Sequence, residues 1–369
     1  MDSIGLGERD ANRSIGQGAR NAQKEAIRKW AEFTTRCNID TFLRNETTER
    51  KNKIISGFAY RLRNNEFGKT TRVQLRGLYI RTTISYVSTT FKQEGYEDPT
   101  LNRSGEKNIQ YNRQTNLYIK EDPKPKQRAA LPIKVYEFIM KSTLDPVSIA
   151  KAELTTGALF YGMRSCEFVD VPAREQQKTR LVEIRDICFW NSRNEVINQK
   201  HRKLKRLATS MSITFREQKN GEKCETIAHE KSHAGLCPVE IFADRVSTIW
   251  KYNDTTENTT INTVKFMGRT IKLKSKDIEK SLKQAVNILG QDKLGIPEEL
   301  VGCHSIRVTF ATLMNINGAS DTQIMLRGRW KSDSFRRCIR ENVKQFGSTT
   351  ISRNLSKLTT GNFFTIRRI

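Results

Sequence analysis

A charged segment interrupted by prolines constrains the architecture of this chain more than any other feature. It reads Lys120-Glu-Asp-Pro-Lys-Pro-Lys-Gln-Arg128, and proline removes a backbone donor and disfavours helical geometry in the residue before it. Regular structure is therefore expected to stop here, which predicts a linker at 121–129. The 369 residues also favour two domains over one. The predicted parts are a disordered N-terminus at 1–20, domains at 21–120 and 130–345, and a basic C-terminal tail at 346–369.

The segment before the linker has helical periodicity. Apolar residues recur at spacings of three and four, as on one face of a helix. The three predicted stripes are Ala26, Trp30, Phe33 and Cys37; Ile54, Ile55, Phe58, Ala59 and Leu62; and Leu75, Leu78, Tyr79, Thr82, Ile84, Val87 and Phe91. We expect a small domain of three or four amphipathic helices. Its many lysines and arginines suit either a face that contacts DNA or a helical bundle with a solvated basic surface.

The segment after the linker has a mixed pattern. Helices are expected at 131–140, 148–161, 238–251 and 278–289, and strands at 181–190, 210–216 and 225–229. Asn220-Gly221, between the last two strands, is a strong local signal for a β-hairpin. The predicted fold class is α+β: mainly α with a small antiparallel sheet.

Charge and cysteine usage limit the kind of partner and compartment. Lys and Arg number 65 against 40 Asp and Glu, a formal charge of +25, which predicts a polyanionic partner such as nucleic acid. A merely basic soluble protein, or one associated with ribosomes, is the alternative. The seven cysteines lack the spacing of a disulfide framework and favour a reducing compartment. No apolar run approaches the roughly 20 residues of a membrane span, so we expect a soluble, intracellular protein without a membrane partner.

The segment from Val301 to Arg340 holds the main candidate site. It predicts two or three short helices with a turn at Asn317-Gly318. His304 and Arg307 are three residues apart and would project from one helix face, where they form a natural clamp for a phosphate oxygen. A Gly-Arg-Trp sequence ending at Trp330 follows, and then a helical segment with Phe335, Cys338 and Ile339.

Three motifs in this part of the chain resemble those of the tyrosine recombinases, the phage-integrase type of DNA strand-exchange enzyme. Gly162-Met-Arg-Ser-Cys-Glu167 is similar to the first arginine box, with Arg164 as the matching arginine. His304-Ser-Ile-Arg307 is similar to the H-x-x-R box. Gly328-Arg-Trp330 resembles the later G-x-[HW] box, in the tryptophan form of eukaryotic DIRS-type and Crypton-type mobile elements. An isolated R-x-x-E is usually a surface pair, so the order of the motifs carries the resemblance.

The resemblance implies a helical core-binding domain, which clamps a DNA duplex, and a catalytic domain. In this family a tyrosine oxygen attacks a DNA phosphodiester, and Arg164 and Arg307 would stabilise the transition state. His304 and Trp330 would add hydrogen bonds and packing. A lysine of the β-hairpin would protonate the departing 5′ oxygen. The matching lysine is Lys219, with Lys223 as the alternative.

The same resemblance implies the partners and the biological role. Double-stranded DNA is the expected partner, and a dimer or tetramer on DNA is the expected assembly. The role would be DNA strand exchange or integration for a mobile element, in the nucleus or elsewhere inside the cell. No cofactor and no metal ion are expected, because the covalent intermediate conserves the energy of the broken bond.

The chain departs from the family at the nucleophile. The tyrosine position holds Cys338, and no tyrosine occurs after His304. The protein is then either an inactive DNA-binding relic or an enzyme with a thiolate nucleophile, whose pKa the arginines would lower. A tyrosine from elsewhere in the chain or from a partner is a third possibility. A cysteine is shorter than a tyrosine and would leave its sulfur short of the phosphate, which favours the relic.

Three other features leave alternatives open. The basic run 200–206 suits contact with the DNA backbone, a nuclear address or a solvated loop. Cys224, His229, His233 and Cys237 have zinc-like spacing and would indicate a zinc-bearing DNA-binding module. However, Cys224 and His229 are five residues apart on a predicted strand and would point to opposite faces. In the tail, Phe363, Phe364 and Ile366 could dock on a neighbouring protomer.

Overall fold

The computed structural model describes residues 17–68, 73–172, 179–218, 221–232 and 235–340. It divides into two compact units, Met1–Pro125 and Lys126–Ile369, and the division falls between residues of the segment 121–129. Some residues singled out by the sequence lie outside the described ranges: Lys219, Asn220, His233, Phe363, Phe364 and Ile366.

The described residues of the first unit form four helices around an aromatic core. Trp30 lies edge-on to Phe58 and Phe91, with ring centroids 5.1 Å and 6.0 Å away. The first helix already includes residues 17–20, which the sequence assigned to a disordered terminus. The helices are α1 (Gln17–Arg36), α2 (Thr48–Arg63), α3 (Gly77–Gln93) and α4 (Ile109–Glu121).

The predicted apolar stripes are correct for α2 and partly wrong for α3. All five stripe residues of α2 are buried. On α3, Leu78 and Tyr79 are 64% and 42% exposed, and Ile80 is buried instead. The reason lies in the start of the helix, where a Cβ on Gly77 would lie 2.7 Å from the backbone nitrogen of Ile119. This close approach to α4 turns α3 so that residues 80, 84, 87 and 91 face the core.

The second unit is mainly helical with a small sheet, so the predicted α+β class is confirmed. Its helices are α5 (Ile133–Lys141), α6 (Pro146–Phe160), α7 (Ser165–Phe168), α8 (Leu204–Leu207), α9 (Pro238–Trp250), α10 (Ser275–Leu289), α11 (Gln291–Leu294), α12 (Cys303–Ile316) and α13 (Asp321–Gly328). Short 3₁₀ helices occur at Ile184–Asp186, Glu298–Leu300 and Asp333–Cys338.

The sheets of the second unit are antiparallel. β1 (Ile187–Trp190), β2 (Ser210–Glu217) and β3 (Lys223–Glu230) form a three-stranded sheet in the order β1-β2-β3. β4 (Thr263–Phe266) and β5 (Arg269–Lys272) form a separate hairpin. The strand predicted at 181–190 is limited to β1, because the Asp186 carboxylate accepts the Glu183 N–H at 2.9 Å and closes a 3₁₀ turn before it.

The β4–β5 hairpin was missed by the sequence analysis. Its two turn residues, Met267 and Gly268, both have positive φ, 48° and 71°. Such turns usually carry asparagine or aspartate before glycine, and methionine in that place gives no recognisable signal. Its strands have only four residues each.

Helix α6 crosses the core of the second unit and leads to the candidate site. Asp145 caps its first turn, since its Oδ1 accepts the N–H groups of Val147 and Ser148 at 2.8 Å and 3.1 Å. Along the helix, ten residues are buried, which fits its apolar composition. Beyond its end, Gly162 adopts a φ of +52°, and a Cβ there would lie 2.8 Å from the Phe310 ring. This turn directs the following Arg164 toward α12.

Candidate functional site

Arg164, Arg307 and Trp330 meet although they come from three separate segments of the chain. Arg307, on α12, donates from Nη1 to the carbonyl oxygen of Gly162 and from Nη2 to that of Gly328. Its Cζ lies 3.9 Å from the centroid of the Trp330 indole, within cation–π distance. Arg307 thus connects the segments that carry the other two residues. Its side chain is almost fully buried, at 4% exposure.

Arg164 is held by acceptors on three sides. Its Nη1 donates to Glu167 Oε1 at 2.8 Å and to Gln218 Oε1 at 3.2 Å, and its Nη2 donates to the Arg329 carbonyl oxygen at 3.0 Å. Gln218 follows the last residue of β2, so the β2–β3 hairpin begins beside Arg164. The Arg164 side chain keeps 19% of its surface exposed, unlike that of Arg307.

Arg329 lies in the same cluster of side chains as Arg164, Glu167 and Arg307. It was not among the site residues predicted from the sequence. Its Nη2 donates to Glu167 Oε2 at 2.6 Å and its Nη1 to the Tyr161 carbonyl oxygen at 3.3 Å. Its Cζ lies 3.4 Å from the centroid of the Phe215 ring. The side chain is fully enclosed, at 0% exposure. An arginine between Gly328 and a tryptophan gives no sequence signal for burial, because arginine is normally exposed.

Glu167 is the carboxylate that the arginines share. Burial by itself would raise its pKa, but the charges of Arg329, Arg164 and Arg307 outweigh burial, and the pKa lies below its ordinary value. The arginines also repel one another. Burial and the charge of Arg164 lower the pKa of Arg307. Three guanidinium groups surround one carboxylate, so the cluster has an excess of positive charge.

Gly328 is required for the placement of Trp330. A Cβ on Gly328 would lie 1.7 Å from Cζ3 of the indole, which is impossible without moving the ring. The indole also packs against Phe310 and Phe335, at centroid distances of 6.3 Å and 6.1 Å. The glycine of the predicted G-x-[HW] motif therefore has a steric reason in this chain.

Cys338 and His304 form the opposite side of the site. Cys338 Sγ lies 3.9 Å from His304 Nε2, and Cys338 is 5% exposed. Burial raises the pKa of the Cys338 thiol and outweighs the opposing charges of Arg307 and Arg340. The thiol is thus protonated at neutral pH, contrary to the lowered pKa that a thiolate nucleophile requires.

His304 is an exposed residue whose imidazole is nevertheless partly desolvated. Partial desolvation lowers its pKa, as do the charges of Arg307, Arg340 and Arg128. A neutral imidazole beside a protonated thiol follows at neutral pH.

Arg128 and Arg340 add positive charge to this side and were also missed. Arg340 donates from Nε and Nη2 to the Arg128 carbonyl oxygen, at 3.0 Å and 2.7 Å. Arg128 Nη1 donates to the carbonyl oxygens of Glu299 and Val301, at 3.0 Å and 2.9 Å. Carbonyl acceptors leave the charge of each arginine in place. Arg128 belongs to the predicted linker, where sequence alone indicates only solvent exposure.

The lysine expected on the hairpin is described only in part. Lys219 lies outside the described residues, and Lys223 is the first residue of β3, exposed and paired in register with Glu217. Lys331, next to Trp330, forms an ion pair with Glu222 of the hairpin at 2.7 Å. The general-acid role of either lysine remains a prediction.

The four residues with zinc-like spacing do not converge where they are described. Cys224 is exposed with a φ of +55°, whereas His229 is buried, with its ring 4.5 Å from that of Tyr161. Cys237 Sγ accepts the Ser232 N–H at 3.3 Å. Among the residues that the structure describes, no group of three His, Cys, Asp or Glu side chains is placed to hold a metal ion.

The basic run 200–206 is partly occupied by contacts within the unit. Leu204 is buried, Lys200 Nζ lies 4.4 Å from the centroid of the Trp250 ring, and Lys205 forms an ion pair with Asp244 at 2.6 Å. Arg202, Lys203 and Arg206 are exposed.

In the described part of the chain, no helix has the length and apolar character needed to cross a bilayer.

No protein-family model and no curated protein matches the chain. The chain is similar to the Tn1549 transposon integrase in complex with transposon right end DNA, with 10% identity, a TM-score of 0.46 and coverage of 91% of this chain and 99% of that one. It is similar to the XerH site-specific recombinase bound to palindromic difH substrate, with 13% identity, a TM-score of 0.49 and coverage of 88% and 76%. It is also similar to a lambda integrase dimer bound to a COC′ core site, with 14% identity, a TM-score of 0.47 and coverage of 91% and 93%. At these identities and TM-scores, the likeness does not establish a shared function, so function must be argued from the side chains.

Proposed function

We propose that this protein binds double-stranded DNA and holds one backbone phosphate in a site of the tyrosine-recombinase type. The observation that carries the proposal is the meeting of Arg164 and Arg307 beside Trp330, at a place where the arginine motifs of that family would join. Arg307 contacts the segments of both other residues through the carbonyl oxygens of Gly162 and Gly328. Planar guanidinium groups match the geometry of a phosphate.

The charge of the cluster supports an anionic ligand. The buried carboxylate Glu167 faces Arg164, Arg307 and Arg329, and like charges in a poorly hydrated site repel each other. A phosphodiester contacted by Arg164 and Arg307 would offset that repulsion. The overall charge of +25 also favours a long polyanion such as DNA over a small anion.

The chemistry proposed for such a site is a transesterification. A bond forms between the nucleophile and phosphorus, the bond from phosphorus to the 5′ oxygen breaks, and the leaving oxygen takes a proton. Arg164 and Arg307 would stabilise the negative charge on the non-bridging oxygens. His304 and Trp330 would contact the same phosphate, and a lysine of the β2–β3 hairpin would supply the proton.

A second candidate function is DNA binding without cleavage. The observation that favours it is the state of Cys338, which is buried, with a raised pKa, and lies beside an imidazole whose pKa is lowered. Lowering the pKa of the imidazole makes it a weaker base for a thiol. The native chain would then recognise DNA and leave the phosphodiester intact.

The origin and assembly of the protein are further parts of the proposal. The Gly-Arg-Trp sequence that ends at Trp330 supports descent from a DIRS-type or Crypton-type element, and such kinship suggests a dimer or tetramer on DNA. Chemical crosslinking with and without a DNA duplex tests the assembly, since a monomer on DNA would contradict it.

Plasmid relaxation with detection of a covalent protein–DNA adduct tests the function. The native protein is compared with Cys338→Tyr and Cys338→Ser on a supercoiled plasmid. We expect all three to bind DNA, and only the tyrosine variant to relax the plasmid and form an adduct. An adduct from the native protein that disappears with serine would establish Cys338 as a nucleophile and refute the second candidate.

Two arginine variants in the tyrosine background test the site itself. Arg307→Lys is expected to reduce relaxation by about 10²-fold or more, as the loss of a transition-state donor does. The matched control is Arg245→Lys, which changes a buried arginine that donates to Ile261 and Thr263. Equal activity of Arg307→Lys and the control would contradict the phosphate site. Failure of the native protein to bind DNA would refute the function altogether.

A further inference from the structure

Arg329 occupies a conformation that its surroundings must stabilise. Its φ is 55° and its ψ is 49°, a left-handed geometry that is uncommon and costly for a residue with a side chain. It is also a fully enclosed arginine, although desolvating a guanidinium is unfavourable unless it is paired. The left-handed backbone and the buried guanidinium, both unfavourable in themselves, thus occur at one position between Gly328 and Trp330.

The contacts of Arg329 lead to Arg164 by two routes. The side chain donates to Glu167 Oε2 at 2.6 Å, and the other oxygen of that carboxylate accepts Arg164 Nη1 at 2.8 Å. The Arg329 carbonyl oxygen accepts Arg164 Nη2 at 3.0 Å. Because of its left-handed backbone, one residue supplies both contacts. Arg329 therefore determines two of the groups that hold the Arg164 guanidinium.

We propose that Arg329 is a positioning residue, which keeps Glu167 from neutralising Arg164 and orients Arg164 for a phosphate. The proposal rests on the proposed function, because it assigns Arg164 a phosphate ligand. A carboxylate facing a single arginine forms a bidentate pair with it. Here Oε2 of Glu167 accepts Arg329 Nη2 and the Arg164 backbone N–H, and the Arg164 guanidinium binds Oε1 through one nitrogen only.

The charges give the expected consequence of losing Arg329. Among Arg164, Arg307, Arg329 and Glu167, three positive charges face one negative charge, and Glu225 acts on Arg329 from outside this group. If Arg329 became an uncharged residue, Glu167 would turn fully to Arg164, and only Arg307 would keep an unopposed charge. The affinity for a phosphodiester should then fall, even in protein that remains folded.

Fluorescence titration with a short mixed-sequence DNA duplex at several salt concentrations tests this. Arg329→Met is expected to weaken binding about three- to tenfold, and to reduce the slope of log affinity against log salt by about one, the loss of one phosphate contact. Arg245→Met, which breaks the other buried pair of this unit, is the matched control and should leave the slope unchanged. A merely structural role would lower the unfolding midpoint of both variants and change the slope of neither.

A double-mutant cycle with Glu167→Gln distinguishes positioning from stability. Once Glu167 is uncharged, Arg329 has nothing to withhold from Arg164, so Arg329→Met should have no further effect on affinity in that background. The double variant removes both members of the Arg329–Glu167 pair, so neither is left buried without the other, and it allows the test even if Arg329→Met alone does not fold. Equal losses of affinity in both backgrounds would overturn the proposal.

The failure of this inference can be told apart from failure of the proposed function. Arg164→Met should weaken DNA binding if the function is correct. A loss with Arg164→Met but none with Arg329→Met, measured on folded protein, would refute positioning and leave the phosphate site standing. Native-like binding by both Arg164→Met and Arg307→Met would refute the phosphate site itself.

Discussion

Two buried arginine–glutamate pairs in the described part of the second unit differ in what surrounds them. Arg329 Nη2 lies 2.6 Å from Glu167 Oε2, and Arg245 Nη1 lies 3.4 Å from Glu153 Oε2. All four side chains are 7% exposed or less. Burial raises the pKa of Glu153 to about 7 and outweighs the charge of Arg245. The pKa of Glu167 is instead below its ordinary value.

The difference shows that the number of cations, and not burial, decides the charge of a buried carboxyl group here. Glu167 interacts with three guanidinium groups, whereas Arg245 directs two of its nitrogens to the carbonyl oxygens of Ile261 and Thr263. Arg245 therefore joins α9 to α6 through Glu153 and to the start of β4 through the two carbonyl oxygens, and has a structural role. The Glu167 cluster retains surplus positive charge, as an anion site requires.

The largest expected effect that tests this comparison is the removal of each carboxylate. Glu167→Gln leaves the Arg329 charge buried without a counterion, so we expect the free energy of unfolding to fall by about 3–5 kcal/mol. Glu153→Gln should not lower it at pH 7, because the uncharged side chain avoids the burial of a charge that raises the pKa of Glu153 to about 7. Urea denaturation at pH 7 measures both variants. Similar losses would show that the two pairs are equivalent after all.

The dependence of stability on pH is a test of intermediate size. The Glu153 pKa rises from 4.5 to about 7 on folding, so its protonated form stabilises the native protein below pH 4.5, and that stabilisation is lost as the pH rises through 7. Glu153→Gln removes this pH-dependent loss of stability, because a glutamine side chain does not titrate. Relative to the native protein, the variant should gain on the order of 2 kcal/mol between pH 5 and pH 8.

The contribution of Glu167 to the pH dependence of stability should have the opposite sign. Its folded pKa is lowered, so it stabilises the native protein above its unfolded pKa, and this stabilisation is lost as the pH falls through the folded pKa. The measurement for both residues is urea denaturation across the pH range. A Glu153→Gln variant whose stability runs parallel to that of the native protein from pH 5 to pH 8 would contradict the raised pKa of Glu153.

The smallest expected effect comes from an exposed ion pair beside the site. Lys331 and Glu222 are each 53% exposed, and such pairs contribute little because water and salt screen them. Lys331→Ala should change the free energy of unfolding by less than about 1 kcal/mol, and by less still at high salt. Lys205→Ala, which breaks the exposed pair with Asp244, is the matched control. A loss as large as that of Glu167→Gln would mean that exposure does not separate these pairs.

The amphipathic helices could be predicted and the motifs could be recognised, because both depend on the spacing of residues close together in the chain. The residues of the stripe around Phe58 share one helix face because of their spacing alone, whatever the helix packs against. They are buried as expected. Ile80 was missed in favour of Leu78 and Tyr79, because the contact of Gly77 with α4 set the rotation of α3. Spacing identifies a face, but the neighbouring helix decides which of two apolar faces is buried.

The sequence alone determined which residue types this protein has for the proposed phosphate site: an arginine motif, an H-x-x-R motif and a Gly-Arg-Trp motif, in a chain of high positive charge. It also determined that Cys338 stands where the family resemblance leads us to expect a tyrosine. Only the tertiary structure decided that Arg329 shares Glu167 with Arg164, and that Cys338 is buried with a raised pKa. The physical reason is that charge balance and desolvation depend on distances between segments more than a hundred residues apart, and no local pattern encodes those distances.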